Sequence, residues 1–98
     1  MHYHFEWDPH KAALNMRDHR ISFSRAATVF KDAGMLTIFD EDHSDAEERW
    51  LTMGHDEHGI LLVVSHTFHA IEHDQCLIRL ISARKATRRE RRQYGAGA

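Results

Sequence analysis

RLISARKATRRERRQY, residues 79–94, reads as an apolar strand that runs straight into a short helix covered with guanidinium groups. Read outward from this stretch, the strand takes in Cys76 to Ala83 and the helix Arg84 to Tyr94. Six basic residues, Arg84, Lys85, Arg88, Arg89, Arg91 and Arg92, fall within nine positions against one acid, Glu90, in a 98-residue chain whose formal charge is only -2. That imbalance points to a phosphate-bearing partner; the plain alternative is a solvated face that keeps the chain soluble.

The imbalance extends to the whole chain. Residues 1–60 hold 6 Lys/Arg against 12 Asp/Glu, and residues 61–98 hold 7 against 3, so a net -6 faces a net +4. One pole suits RNA, DNA or a nucleotide, and the other suits solvent or a basic partner.

Length and composition fit one domain over residues 1–94, with a flexible tail from Gly95 to Ala98. At 42% hydrophobic and 29% charged, with one Pro, the chain has an ordinary globular composition. MHYHFEWD lacks the apolar core of a signal peptide, and the longest apolar run, Ile60 to Val64, is too short to span a bilayer, so a cytoplasmic location with no membrane partner is expected. The single Cys76 cannot form an intrachain disulfide and reads as a small buried hydrophobe beside Leu77 and Ile78.

Phe5 to Trp7 is extended, Asp8 caps a helix with Pro9 in its first turn, and that helix reaches about His19. Ser22 or Ser24 caps a second helix in which Ala26, Val29 and Phe30 share a face, and Gly34 ends it. Met35 to Phe39 reads as a strand, and Asp40 to Glu48 as an exposed acidic turn. Arg49 to Met53 and Ile60 to Phe68 are strands joined by a turn through Gly54 to Gly59, and the second is central because both its faces start apolar. His69 to Gln75 reads as a polar loop. The expected fold is α+β: two N-terminal helices, an antiparallel sheet of about four strands and a C-terminal basic helix.

Few residues offer chemistry. Arg79, mid-strand among apolar neighbours, either pairs with an acid such as Glu6 or clamps a phosphate, for which its planar fork is suited. Arg84, five residues on, is placed to converge on the same anion. His66 is the proton-transfer candidate, singled out from ten histidines by its strand. Trp50 packs in the core or stacks a base. Tyr94 can act as an acid or orienting group, and Glu90, four residues earlier on the helix, either assists it or pairs with an arginine. His55, His58, His66, His69 and His73 match no compact zinc spacing, so no metal or other cofactor is expected.

Three blocks, FEWDPHKAALNMRDHRISFSRAATVF, ERWLTMGHDEHGILLVVSHTF and IRLISARKATRRERRQY, occur in the order that resembles the BrnT family, ribonuclease toxins of type II toxin–antitoxin systems. The resemblance covers roughly residues 5 to 94, and the final ISARKAT…ER..Y block is its most distinctive part. It implies a RelE-like fold, RNA cleavage that inhibits translation, neutralisation by a cognate BrnA-like antitoxin, and operator DNA bound through the antitoxin complex. It draws attention to Arg79, Ser82, Arg84, Lys85, Glu90 and Tyr94, with Trp50 and His66 in the central blocks. Where relatives have a compact polar turn, this chain has HTFHAIEHDQ.

The chemistry so implied is metal-independent endonucleolytic cleavage, a hydrolase-type reaction in which the 2′-hydroxyl attacks the adjacent phosphate. Arg79 and Arg84 would stabilise the phosphorane charge, His66 or Glu90 would accept the 2′ proton, and Tyr94 or His66 would protonate the leaving 5′ oxygen. Lys85, Arg88, Arg91, Arg92, Ser82 and Trp50 are the expected RNA contacts. The alternative is a non-enzymatic module that binds nucleic acid or an antitoxin through the same helix.

Overall fold

The 11-residue strand over Gln75–Lys85 organises the chain. A computed structural model describes residues 1–96, so Gly97 and Ala98 of the expected tail lie outside the described residues. In chain order the elements are β1 (His2–Glu6), α1 (Pro9–His19), α2 (Phe23–Ala27) with a 3-10 turn at Thr28–Lys31, β2 (Leu36–Phe39), β3 (Trp50–His55), β4 (Leu61–His66), β5 (His69–Glu72), β6 (Gln75–Lys85) and α3 (Arg88–Gly95). Among the described residues no helix is long and apolar enough to cross a membrane.

The sheet corrects the expected four antiparallel strands: among the described residues it has six, in the order β1-β6-β4-β3-β2, with β5 also on β6. β1 runs parallel to β6, from His2 opposite Gln75 to Glu6 opposite Arg79. The expected polar loop at His69–Gln75 is instead a hairpin. β5 continues β4 beyond Thr67, whose N–H donates to the Arg79 carbonyl at 3.0 Å, and Asp74, in the left-handed region at φ 68°, turns the chain back. All four β5 residues are exposed, so no buried face marked it in the sequence.

A bulge sets the chemistry of β6. Ser65 pairs with Ser82 but His66 pairs with Leu80, leaving Ile81 as one extra residue on β6. Arg79 and Arg84 are five apart and would face opposite sides of a regular strand; the inserted residue restores them to one face. The other face carries Cys76, Ile78, Leu80 and Ala83, which pack with Ile21, Phe23, Ala26, Val29 and Phe30 of the helical layer in the main core.

Local chemistry explains the helical layer. Asp8 accepts from the His10 N–H, Pro9 opens α1, and Arg20 closes it in the left-handed conformation. Of the two candidate serines, Ser22 caps α2 by accepting from the Arg25 N–H. Asn15 is buried, donates to the carbonyls of Ile21 and Ala83, and accepts from the Ala83 N–H. It thereby satisfies the β6 backbone where β1 has ended.

Across the sheet α3 covers a smaller cluster of Leu61, Val63 and Ala86, with Leu51, Met53 and Tyr94 against it. The rest of this face stays open. A cleft of ≈ 470 Å³ lined by Leu36, Ile38, Leu51, Met53, Val63, Glu90 and Gln93 runs beside the helix.

Candidate functional site

The α3 face brings together most of the residues of interest, yet in two places. β6 carries Arg84 and Lys85 itself, so the helix begins only at Arg88, later than the sequence suggested. Thr87 caps it in a reciprocal box, accepting from the Glu90 N–H while the Glu90 carboxylate accepts from the Thr87 N–H.

Arg79 and Arg84 share the face but do not converge on one anion. Five residues of strand separate them by roughly 16 Å, and each holds its own carboxylate. Arg79 is ion-paired with Glu47, which also lies 3.9 Å from Arg49. Arg84 makes a two-pronged bond to Glu90, at 2.7 and 3.0 Å. These bonds from Arg84 outweigh burial and, with the Thr87 N–H, hold the Glu90 carboxyl down at about 2. A carboxylate so occupied is a poor proton acceptor near neutral pH.

His66 occupies the opposite face and is only 1% exposed. Its Nε2 is 2.7 Å from the Thr52 hydroxyl, its Nδ1 is 2.9 Å from the Thr67 carbonyl, and its ring meets Phe30 edge-on. Burial pushes its pKa down despite the Thr67 bond. This corrects its expected place at an open site: the strand that suggested it turns it into the core. Trp50 shares that face and packs against Phe39 at the sheet edge, away from α3. Ser82 is exposed and pairs with Ser65, which pairs with Leu51 of the cleft.

α3 itself is different. Arg88, Arg89, Arg91 and Arg92 are exposed, as is Lys85 just before it. Among the described residues none of the five pairs with a carboxylate; the Arg91 guanidinium donates to the Ala86 carbonyl instead. Glu90, the one acid of the stretch, is consumed by Arg84.

Tyr94 belongs to a cluster that sequence reading missed. Its phenol donates to Asp32 Oδ2 at 2.6 Å. The same oxygen accepts from the His55 N–H at 2.7 Å, and Oδ1 accepts from the Gly34 N–H at 2.9 Å. His55 Nδ1 stands 3.2 Å from the Tyr94 oxygen and 3.3 Å from Asp32 Oδ2. Burial would raise the Asp32 pKa, but the bonds from His55, Tyr94 and Gly34 outweigh it and hold it at about 2; the same bond pushes the Tyr94 phenol up. Two glycines let the parts meet. A Cβ on Gly34 would lie 2.7 Å from the Tyr94 oxygen, and one on Gly54 would lie 2.9 Å from Val29 Cγ1 and 3.3 Å from Asp32 Oδ2. The sequence places Gly54 and His55 in the turn; β3 instead runs on through both, and a glycine inside a strand marks the close approach.

The family model described as "Ribonuclease toxin, BrnT, of type II toxin-antitoxin system" matches residues 7–90. The chain belongs to the BrnT toxin family. Among solved structures, the ribonuclease toxin BrnT of Brucella abortus is similar at a TM-score of 0.59 with 18% identity, covering 90% of this chain and 100% of that one. At that identity the likeness speaks for the shared α+β fold with a mixed sheet. A search of curated proteins gave no match. BrnT membership makes the chain the toxin component of a toxin–antitoxin system, with ribonuclease-type activity as its class, an antitoxin as partner and nucleic acid as its target. Among the described residues no three His, Cys, Asp or Glu side chains are grouped to hold a metal ion.

Proposed function

We propose that this BrnT toxin, RelE-like in its finer architecture, is a cytoplasmic, metal-independent endoribonuclease that blocks translation by cutting RNA through attack of the 2′-hydroxyl. The observation that carries the reading is the row of cations without carboxylate partners, Lys85, Arg88, Arg89, Arg91 and Arg92, at the rim of the open α3 face. Arg88, Arg89 and Arg92 make no side-chain hydrogen bond among the described residues, which leaves their guanidiniums free for phosphate oxygens.

RNA tracked by α3 would pass Arg84 and then the Arg79–Arg49–Glu47 group at the far end of the face. Arg79 and Arg84 reach phosphate by exchanging Glu47 and Glu90 for it; Arg84, at the α3 end of the face, is the one placed to stabilise charge on a phosphorane, while Arg79 holds the RNA strand further along. Ser82, exposed along the way, can donate to the backbone. A BrnA-like antitoxin would neutralise the toxin by covering this surface, and the pair would bind operator DNA through the antitoxin.

One observation favours a second reading, a binding module without catalysis: His66 is enclosed and Glu90 is locked to Arg84. Controlled expression with and without the neighbouring antitoxin gene separates the two. Growth arrest with new RNA ends carrying 2′,3′-cyclic phosphates, both abolished by the antitoxin, is expected for the nuclease. Arrest with intact RNA is the outcome of the binding module and would contradict the nuclease.

A further inference from the structure

The hydrogen bonds around Asp32 fix which nitrogen of His55 is free. The Tyr94 hydroxyl spends its proton on Asp32 Oδ2, so toward His55 the phenol presents only a lone pair. Asp32 Oδ2, as a carboxylate oxygen, presents only lone pairs as well. His55 Nδ1, 3.2 Å from one and 3.3 Å from the other, must carry the hydrogen. In the neutral ring Nε2 is then the basic nitrogen, and among the described residues it has no hydrogen-bond partner. The His55 side chain is 44% exposed while that of Asp32 is 15% exposed, so the base is open and its orienting group is covered. The ring is also held edge-on to Tyr94, with centroids 4.8 Å apart. A base within reach of solvent, held in one tautomer by a carboxylate behind it, is the arrangement that activates a hydroxyl.

The surroundings of the ring carry both signs of charge. A depression of ≈ 290 Å³ beside the ring is lined by Thr28, Lys31, Asp32, His55, Asp56 and Glu57. Asp56 is neutralised by Arg25 and turned inward by the N–H groups of His58 and Ile60. Lys31 supplies an exposed cation to the lining and Glu57 an exposed acid. Arg91 is tethered to Ala86, whose N–H bonds Leu61, the β4 partner of His55. Phosphates held along α3 therefore arrive at the end of the sheet where His55 stands.

We propose that His55 is the general base of RNA cleavage, with Asp32 and Tyr94 as its positioning residues; the assignment rests on the ribonuclease reading and gives it the proton acceptor that His66 and Glu90 cannot supply. His55 Nε2 takes the proton of the 2′-hydroxyl. The 2′ oxygen forms a bond to phosphorus, the bond from phosphorus to the 5′ oxygen breaks, and the leaving oxygen takes a proton from water. The products are a 2′,3′-cyclic phosphate and a 5′-hydroxyl, and the imidazolium returns its proton to solvent.

The test compares wild type, His55→Ala and Tyr94→Phe on one RNA in EDTA, with binding measured on the 2′-deoxy analogue. His55→Ala removes no bond of the Asp32–backbone set, so it is expected to melt near wild type and to bind the analogue equally well. Its cleavage rate should fall about 100-fold or more and be restored in part by added imidazole, which a merely structural role would not allow. Tyr94→Phe should lower kcat and leave KM unchanged. Wild-type cleavage with His55→Ala close to wild type, or with a loss that imidazole does not relieve, overturns the assignment while the nuclease reading stands. No cleavage by wild type overturns the nuclease reading and the assignment with it.

Discussion

Replacing Asp32 by Asn should cost the fold roughly 2 kcal/mol at neutral pH. Its carboxylate accepts from the N–H groups of His55 and Gly34 and from the Tyr94 phenol. An amide fits the space but must turn its NH₂ toward one of these donors, leaving a donor facing a donor. The gap between the ordinary carboxyl value of 3.8 and the value of about 2 in the folded protein, at about 1.4 kcal/mol per pH unit, gives roughly 2 kcal/mol. For a domain of this size that is a melting temperature lower by roughly 10 °C. Because the folded value is depressed, this stabilisation is complete above about pH 4.5, declines through the unfolded value of 3.8 and disappears as pH falls through about 2. Urea unfolding of wild type and variant side by side should show a difference that is constant from neutral pH down to about pH 4.5 and shrinks below it. Glu90, also depressed, titrates in both proteins and cancels. A difference under about 0.5 kcal/mol, within the range of an ordinary surface substitution, or one that ignores acid, would refute the reasoning.

Three further outcomes follow from the same geometry. Glu90→Ala, which removes both the Arg84 pair and half of the capping box, should lower stability by about 1 to 2 kcal/mol in urea unfolding; an unchanged midpoint would count against the packing of α3 described above. His66 is kept neutral by burial, so the unfolded chain takes its proton first, and acidification through its ordinary value of 6.5 should destabilise wild type by up to about 1.4 kcal/mol per pH unit more than His66→Gln. Equal pH slopes would mean that His66 is not enclosed as described. Replacing Arg88, Arg89 and Arg92 together by Ala should reduce the slope of log affinity for single-stranded RNA against log salt by about 2, and no change in slope would remove α3 from the RNA path.

Sequence reading reached those elements whose signals are local. Asp8 before Pro9, Ser22 before an apolar face, and the doubly apolar start of β4 each specify their structure within a few residues. It could not reach what depends on register. The parallel β1 edge exists because β6 presents a free backbone beside it, and the bulge at Ile81 shows in no propensity, yet that one residue decides that Arg79 and Arg84 share a face. The site was legible in its cations and its phenol and illegible in its base. Tyr94 announced itself by its place four residues after Glu90, whereas Asp32 and His55 are 23 residues apart and meet only because Gly54 lets β3 close on the turn after Thr28–Lys31. With ten histidines in the chain, strand position favoured His66, and only the packing reveals that His66 points inward while His55 points out.

The most direct measurement uses a DNA strand that carries a single ribonucleotide, incubated with antitoxin-free protein in EDTA and resolved by mass spectrometry. A metal-independent nuclease that relies on the 2′-hydroxyl should cut once, immediately after the ribonucleotide, and leave a 2′,3′-cyclic phosphate and a 5′-hydroxyl. An intact strand, cuts at deoxy positions, or a requirement for added divalent metal would contradict it.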